Sequence, residues 1–405
     1  MEYLGVEYLR KKLNDKSKRV RVRYDYYEMK NLKLDPSPAI PPRLKEAYAS
    51  VLGWCGTAVD SLADRLIFEG FTDASDVLNF NDIFKRNNPD IMPSAAILDA
   101  LIGSCSFICI TPDADGFPRL QALTADNATG VIDPITNMLT EGYAVLERDK
   151  HGKVVTEAYF AGGTVQISSP DGEYYIESEA PYCLLVPIIN RPDAKRLFGH
   201  SVISRACMKL TDGARNTLTR SEITAEFYSF PQKYVTGLSQ DAEPLETWKA
   251  TMSAMLQFTK DEDGDHPVVG QFQTASMTPH IEQFKAYAGA FAGETALTLD
   301  DLGIVTSNPT SSDAIKAAHE RMRLKARAAQ RAFGTAFKNV GFLAACLRDN
   351  KTYNREIMTD VKTVWAPIFE PDAAALGGIG DALYKLQQSF PELLTDDAIH
   401  GLTGL

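Results

Sequence analysis

Residues 313–347 read DAIKAAHERMRLKARAAQRAFGTAFKNVGFLAACL. Apolar residues recur in this stretch at steps of three or four positions, which is the spacing of one face of an α-helix. They are Ile315, Ala318, Met322, Ala326, Ala329, Phe333, Phe337, Val340, Ala344 and Leu347. We predict a long helix over residues 313–349, a rod of roughly 50 Å at about 1.5 Å per residue. Ser311 or Ser312 is expected to cap it, and Asp313 suits the positive end of its dipole.

The segment before this helix, residues 300–312, is predicted to be a loop. Its sequence is DDLGIVTSNPTSS, in which Gly303 and Pro309 interrupt a run of β-branched and turn-forming residues. Further upstream, apolar residues at helical spacing predict two helices, at 201–230 and 281–297, and Pro231 ends the first of them.

Between these two helices lies an insert, residues 231–278. Its pattern predicts strands at 232–237 and 268–272 and a short helix near 245–258. The insert is acidic, which suits a soluble protruding tip. Its acidic residues are Asp241, Glu243, Glu246, Asp261, Glu262, Asp263 and Asp265.

Residues 1–200 indicate a mixture of helices and strands. A helical stretch is predicted from Pro41 through residues 54–66. Turn sequences at 113–116, 149–152 and 169–172 then separate short β-prone runs, which predicts antiparallel hairpins. The tail offers one β-prone run at 361–369 and a helix near 380–389. The predicted fold class is α+β.

The composition argues against several classes of function. The chain of 405 residues carries 42 Lys and Arg against 53 Asp and Glu, a net charge of −11, which argues against a protein that grips DNA phosphates with a basic surface. No apolar stretch approaches the roughly 20 residues of a membrane span, and the first residues lack a signal-peptide core. The six cysteines include no C-x-x-C pair, so we predict buried free thiols.

The sequence contains no motif that predicts a catalytic or ligand-binding site. Gly199-His-Ser-Val-Ile203 resembles a nucleophile elbow, but Ile203 replaces the second glycine that the tight turn needs. No Walker lysine motif is present, and the six histidines do not have the spacing of zinc ligands. His319 is expected to be a solvated helix residue. We predict no catalytic residue, no metal and no cofactor.

The long helix carries a cluster of basic side chains with Glu320 as its only acid between residues 316 and 331. They are Lys316, Arg321, Arg323, Lys325, Arg327 and Arg331. A solvated helix face would explain some of them. Because they surround much of the helix, we expect others to meet acidic groups of an adjacent subunit or DNA phosphates, with the subunit contact favoured.

Motifs in order along nearly the whole chain resemble the portal family of long-tailed bacteriophages. They include Tyr24-x-x-Tyr27, Trp54, and Val59-Asp60 through Gly70-Phe71 near the start. Gly199-x-Ser201-x-Ile203, Ala225-Glu226-Phe227, Pro231-Gln232 and Gly270-Gln271-Phe272 follow, and the tail adds Trp365, Asp381-Ala382, Lys385-Leu386 and Pro391. The most specific segment is Pro309-Thr-Ser-Ser-Asp-Ala-Ile315, continued by Glu320, Arg327, Gln330 and Phe333-Gly334. His319 departs from the acid that the family often has.

The resemblance implies an α+β portal fold. It would comprise a mixed α/β wing (1–200), stem helices (201–230 and 279–299), a clip insert (231–278), a channel loop (300–312), the long helix (313–349) and a wing return strand (350–378). Residues 379–405 would form a short carboxy-terminal helix, with the crown small or absent. The loop residues nearest DNA would be Leu302, Gly303, Ile304, Val305, Thr306, Ser307 and Asn308.

The implied function is that of a ring, twelve subunits in most of the family, at one capsid vertex, through which double-stranded DNA is packaged and ejected. Expected partners are the terminase large subunit, head-completion or adaptor proteins, and the major capsid and scaffolding proteins, without a membrane. The protein would reside in the virion after assembly in the host cytoplasm. Two alternatives stay open: a virion structural protein without a channel, and an enzyme whose catalytic groups are dispersed.

Overall fold

The computed structural model describes most of the chain in several stretches. They are residues 3–31, 48–72, 77–229, 233–236, 268–271, 276–304, 317–369 and 373–389. The predicted short helix at 245–258, all seven acidic residues of the insert, the cap at Ser311 or Ser312, Lys316, and the loop residues 305–308 lie outside the described residues.

Eight α-helices are assigned in the described stretches. They are α1 (Val6–Tyr27), α2 (Trp54–Ala63), α3 (Phe80–Lys85), α4 (Met92–Gly103), α5 (Arg205–Ser229), α6 (Thr278–Thr295), α7 (Glu320–Asp349) and α8 (Ala373–Ser389). Short 3-10 turns occur at Asp300–Leu302 and Arg355–Thr359. No helix in these stretches is long and apolar enough to cross a membrane.

The strands of the described stretches form four small antiparallel sheets. They are β1 (Phe68–Thr72), β2 (Cys105–Pro112), β3 (Pro118–Thr124), β4 (Ala128–Ile132), β5 (Leu139–Arg148), β6 (Val154–Ala161), β7 (Thr164–Ser169), β8 (Gly172–Glu177), β9 (Leu185–Ile189), β10 (Lys233–Thr236), β11 (Val268–Gln271) and β12 (Lys362–Trp365). The sheet orders are β3-β2-β9, β4-β5-β6-β7-β8, β1-β12 and β10-β11. The predicted α+β class is confirmed.

The predicted hairpins are present. Asp113 accepts hydrogen bonds from the backbone of Asp115 and Phe117 in the turn between β2 and β3. Asp149 does the same for His151 and Lys153 between β5 and β6. In each turn the aspartate carboxylate accepts hydrogen bonds from the backbone amides two and four residues ahead. These bonds stabilise the tight turn, because they replace the strand-to-strand hydrogen bonds that end there.

The main core joins α7 to strands β2, β3, β9 and β12. Its carboxy-terminal part, residues 339–347, is buried all round, as expected of a helix that is apolar on every side. Gly341 permits that packing, because a Cβ there would lie 2.8 Å from the Phe80 ring. Phe337 contacts Phe68 and Trp365, at ring distances of 4.8 and 6.1 Å.

Strand β12 returns the chain from α7 to the amino-terminal body. It pairs with β1 from Phe68↔Trp365 to Thr72↔Lys362. Residues almost 300 positions apart therefore share one sheet, and they close the aromatic cluster around Phe337.

Several sequence expectations were wrong in detail. Helix α1 was not predicted at all, and α8 begins at Ala373 rather than near Gly380. The helical stretch predicted from Pro41 through Leu66 is interrupted, since residues 48–53 are not helical and α2 spans only Trp54–Ala63. Residues 300–302 are a 3-10 turn rather than irregular loop. His319 is not a solvated helix residue: its side chain is 17% exposed, with Nδ1 3.8 Å from Asp301 Oδ2, because the 3-10 turn folds back over the start of α7.

Candidate functional site

Helices α5 and α6, in the positions predicted for the stem, form an antiparallel pair. Ser204, just before α5, donates to Glu294 Oε1 at 3.0 Å, while Thr217 Oγ1 lies 3.2 Å from Gln283 Oε1 further along. The backbones approach closely at Gly213, where a Cβ would lie 2.7 Å from the Tyr287 ring. Contacts with the body extend along the pair as far as Thr219 and Phe284, which lie against Ser50 and Trp54.

One face of α6 is uncovered in the single chain. None of residues 278–287 is buried, and Ile281 is 53% exposed. Gly289 and Gly293 would admit a Cβ with nothing within 4 Å. The outer part of this pair therefore lacks the packing that surrounds α7.

Between α5 and α6 in the chain, strands β10 and β11 pair from Lys233↔Gln271 to Thr236↔Val268. This antiparallel pairing brings the start of the segment that follows α5 next to the end of the segment that precedes α6. The acidic insert residues belong to the segment between these strands, which lies outside the described residues.

At the inner end, basic side chains of α7 bind the carboxyl end of α6. Arg321 donates to the Gly293 carbonyl at 2.9 Å and Lys325 to the Thr295 carbonyl at 2.8 Å. The last carbonyls of a helix lack partners within it and carry partial negative charge, so cations are favourable there. Burial lowers the pKa of Lys325.

Of the six predicted basic residues, three therefore have partners within their own chain. Arg323 pairs with Glu320 through two hydrogen bonds of 2.7 and 2.6 Å, in addition to the contacts of Arg321 and Lys325. Arg327 and Arg331 are exposed. A role in subunit or DNA contact stays a prediction for the whole cluster.

The base of the predicted channel loop is a compact turn. Asp301 Oδ2 accepts from the Thr298 amide at 2.7 Å and from its hydroxyl at 2.9 Å. Gly303 has φ 77°, the left-handed region that glycine adopts without strain, and the Ile304 amide then donates back to the Leu299 carbonyl at 3.0 Å. Leu302 and Ile304 pack partly against the core, whereas Gly303 is exposed. These contacts hold residues 298–304 against the body.

The residues of the elbow-like motif hold a loop in place. Ser201 donates to the Ile102 carbonyl at 2.6 Å, and His200 Nε2 lies 2.6 Å from Asp193 Oδ2. The serine and histidine thus have separate partners, and nothing in their geometry would activate the hydroxyl. No cluster of metal-ligating side chains occurs within the described residues.

A family model described as "Phage portal protein, SPP1 Gp6-like" matches residues 7–376. The chain belongs to this family. The portal protein of Mycobacterium phage L5 is 26% identical over 394 residues, which cover 91% of this chain and 79% of that protein. The portal protein of Mycobacterium phage D29 is also 26% identical, over 91% of this chain and 80% of its own length.

Two solved structures of gene transfer agent (GTA) particles contain similar chains. One is the virion of a native GTA particle, with 12% identity, coverage of 95% and 99% of the two chains and a TM-score of 0.46. The other is the neck of an empty GTA particle computed with C6 symmetry, with 14% identity, coverage of 94% of each chain and a TM-score of 0.48.

As a member of the portal family, the protein is a structural component of the phage virion and not an enzyme. It serves as the portal for the DNA that is packaged into and ejected from the capsid. It acts as part of an oligomeric ring in the particle. This excludes both alternatives left open by the sequence.

Two features of the structure were not predicted from the sequence. The contacts of Arg321 and Lys325 with α6 depend on tertiary placement, and only their position near the start of a long helix hinted at a role. Basic helix α1 was missed as well, although the basic residues from Arg10 to Arg23 are visible in the sequence.

Proposed function

We propose that twelve copies of this chain form a closed ring with the α5–α6 pairs around a central channel, and that double-stranded DNA passes through it. The observation that carries the proposal is the uncovered face of α6 on the antiparallel helix pair. This face exposes Ile281 and leaves open space at Gly289 and Gly293, and identical subunits that repeat around an axis would cover it.

Electrostatics supports passage rather than tight binding. Duplex DNA carries about one negative charge per 1.7 Å, so a cationic wall would hold each phosphate and slow movement. The net charge of −11 fits a wall that lets DNA slide. In addition, Arg321 and Lys325 are engaged with carbonyls of α6.

The mass of the native particles tests the ring. We expect particles of twelve subunits with a central hole, measured by native mass spectrometry and negative-stain microscopy. A chain that stays monomeric at micromolar concentration contradicts the proposal.

We assign the channel contact to the loop of residues 302–308. The anchored base at Thr298, Asp301 and Gly303 supports this assignment, because it fixes the loop at the junction of α6 and α7. Replacing Val305 and Ser307 with lysine should leave rings intact and reduce the DNA packaged per head several-fold, because two added cations per subunit would bind phosphates. The matched control is Val305→Thr with Ser307→Thr. Normal packaging by the lysine variant would remove the assignment.

We assign motor docking to the insert of residues 231–278, which would bind the terminase large subunit first and head-completion or adaptor proteins later. The paired strands β10 and β11 support it, since they close the insert as a unit between α5 and α6 in the chain. Deleting residues 238–266 should preserve rings and abolish both interactions in pull-down assays. Capsid and scaffolding proteins would contact the wing during assembly in the host cytoplasm.

A further inference from the structure

Helix α1 concentrates positive charge in an acidic protein. Residues 10–23 contain eight Lys or Arg and one Asp, in a chain whose net charge is −11. Lys11, Lys18 and Arg19 are exposed, and none forms an ion pair in the stretches that the structure describes. Burial, together with neighbouring Lys12, lowers the pKa of Lys16 to about 8.

The outward side of α1 also carries apolar groups. Tyr8 and Val22 are 46% and 43% exposed. They lie on one helical face with Lys11 and Lys18, at successive steps of three, seven and four residues, and exposed Asp15 falls between the two lysines. We call these four residues the basic face. Phosphate binding requires only the cations, whereas exposed tyrosine and valine among them are typical of a contact with protein.

Strand β8 has complementary properties. It is the last strand of the five-stranded sheet, paired on one side with β7. Residues 171–179 contain four acids and no base. Tyr174 and Tyr175 are 52% and 59% exposed. We call Glu173, Tyr174, Tyr175 and Glu177 the acidic edge.

An exposed edge strand invites pairing with another chain. Two acidic edges repel each other, so β8 is directed away from a second β8 and towards a cationic partner.

The two surfaces lie at different ends of one sheet. Leu9 and Leu13 of α1 pack on Tyr143 and Val145 of β5, and Lys12 donates to the Gly130 carbonyl of β4. Strand β8 is three strands beyond β5, roughly 14 Å away at about 4.8 Å per strand. A cyclic ring of more than two subunits joins two different surfaces of the same chain at every interface. The pair of surfaces meets that requirement.

We propose that the basic face of one subunit packs against the acidic edge of the next subunit in the ring. This inference rests on the ring proposed above and names one contact that holds it together. Ion pairs between Lys11 or Lys18 and Glu173 or Glu177 would form around the exposed tyrosines, which exclude water from the contact.

Charge reversal with restoration tests the contact. Variant K11E/K18E and variant E173K/E177K should each raise the protein concentration at half-assembly by about tenfold or more, because several attractions become repulsions. The four-fold variant that combines them should return to within about threefold of the wild type. Sedimentation velocity at low and high salt measures this, and high salt should reduce the differences.

Matched controls reverse exposed charges elsewhere, with Glu69→Lys and Lys85→Glu, and should assemble as the wild type does. Circular dichroism checks that each variant is folded. If a reversal variant unfolds, the neutral K11Q/K18Q and E173Q/E177Q variants replace it, with a smaller expected loss.

The outcomes separate this inference from the ring itself. Wild-type rings with normal assembly of both reversal variants would overturn the contact and leave the ring standing. Failure of the four-fold variant to recover would show that the surfaces do not face each other. Reduced packaging by K11E/K18E in normally assembled rings would assign the basic face to DNA instead. A wild-type chain that never forms rings contradicts the proposed function first.

Discussion

Helices α6 and α7 follow one another in the chain yet are stabilised in opposite ways. Residues 339–347 of α7 are all buried inside one subunit, whereas none of residues 278–287 of α6 is. The apolar groups around α7 are covered by their own chain. Helix α6 keeps a face exposed, which the ring proposed above would cover. We therefore expect the stability of the region around α7 to depend on contacts within the subunit, and the stability of α6 to depend also on contacts between subunits.

The largest difference is expected from truncating a phenylalanine in each region. Phe337 is fully buried among aromatic rings, so Phe337→Ala should lower the free energy of unfolding by about 3 to 5 kcal/mol. Phe284 is half-buried and contacts Trp54 at 5.2 Å, so Phe284→Ala should cost about 1 to 2 kcal/mol. Urea unfolding of the isolated subunit measures both. Equal losses would show that the stem is packed as well as the body.

An intermediate effect is expected from Lys16, a cation held against the body. Its ammonium lies 3.9 Å from the centroid of the Phe198 ring, and burial together with Lys12 and Arg19 lowers its pKa to about 8. A lysine whose pKa falls on folding destabilises the folded state while it is charged in both states. That penalty is present below pH 8 and disappears as pH rises towards 10.5.

Lys16→Met should therefore stabilise the subunit at pH 7 by about 2 kcal/mol, and the difference from the wild type should vanish above about pH 10.5. Lys18→Met, on the exposed side of the same helix, is the matched control and should show no such pH dependence. Chemical unfolding at pH 7, 9 and 11 measures it. A constant difference across that range would mean that Lys16 is not desolvated.

Features that depend on interactions between residues near each other in the chain could be predicted from the sequence, whereas those that depend on distant residues could not. The apolar stripe of α7 and the aspartates of the hairpin turns are local signals, and both predicted the observed elements. The pairing of Phe68 with Trp365 joins distant residues, which no periodicity reveals. Sequence likewise cannot show that Arg321 and Lys325 reach the end of another helix.

Helix α1 was missed for a different reason. Its buried positions Leu9, Leu13 and Val20 are few, and eight basic residues stand among them. A sparse apolar stripe looks like a solvated segment until a sheet is known to cover it. Buried Glu141 of this sheet also holds the start of the helix, because it accepts hydrogen bonds from the amides of Leu4 and Gly5 at 2.9 and 3.0 Å.

The smallest effects are expected from paired glycine substitutions. Gly341→Ala should destabilise the subunit by about 1 to 2 kcal/mol, because the new Cβ would meet the Phe80 ring at 2.8 Å. Gly289→Ala should stabilise it by about 0.5 to 1 kcal/mol, since its surroundings are open and alanine favours helix.

The same two variants also report on assembly. Thermal unfolding of subunits and of rings separates the two contributions. If α6 packs against a neighbour, Gly289→Ala should lose its advantage in the ring. A gain of equal size in both states would show that this face stays open to water.

The six cysteines, predicted to be buried free thiols, are all buried and unpaired, which confirms the prediction. Burial raises the pKa of Cys105 to about 11 and of Cys109 to about 12, so thiolate is scarce at either sulfur. A virion persists outside cells, where dissolved oxygen replaces the reductants of a cytosol. Thiols that are neither ionised nor accessible resist cross-linking and sulfenic acid formation during that storage. The ring should thus keep its chemical integrity through ageing of the particle without any disulfide to maintain.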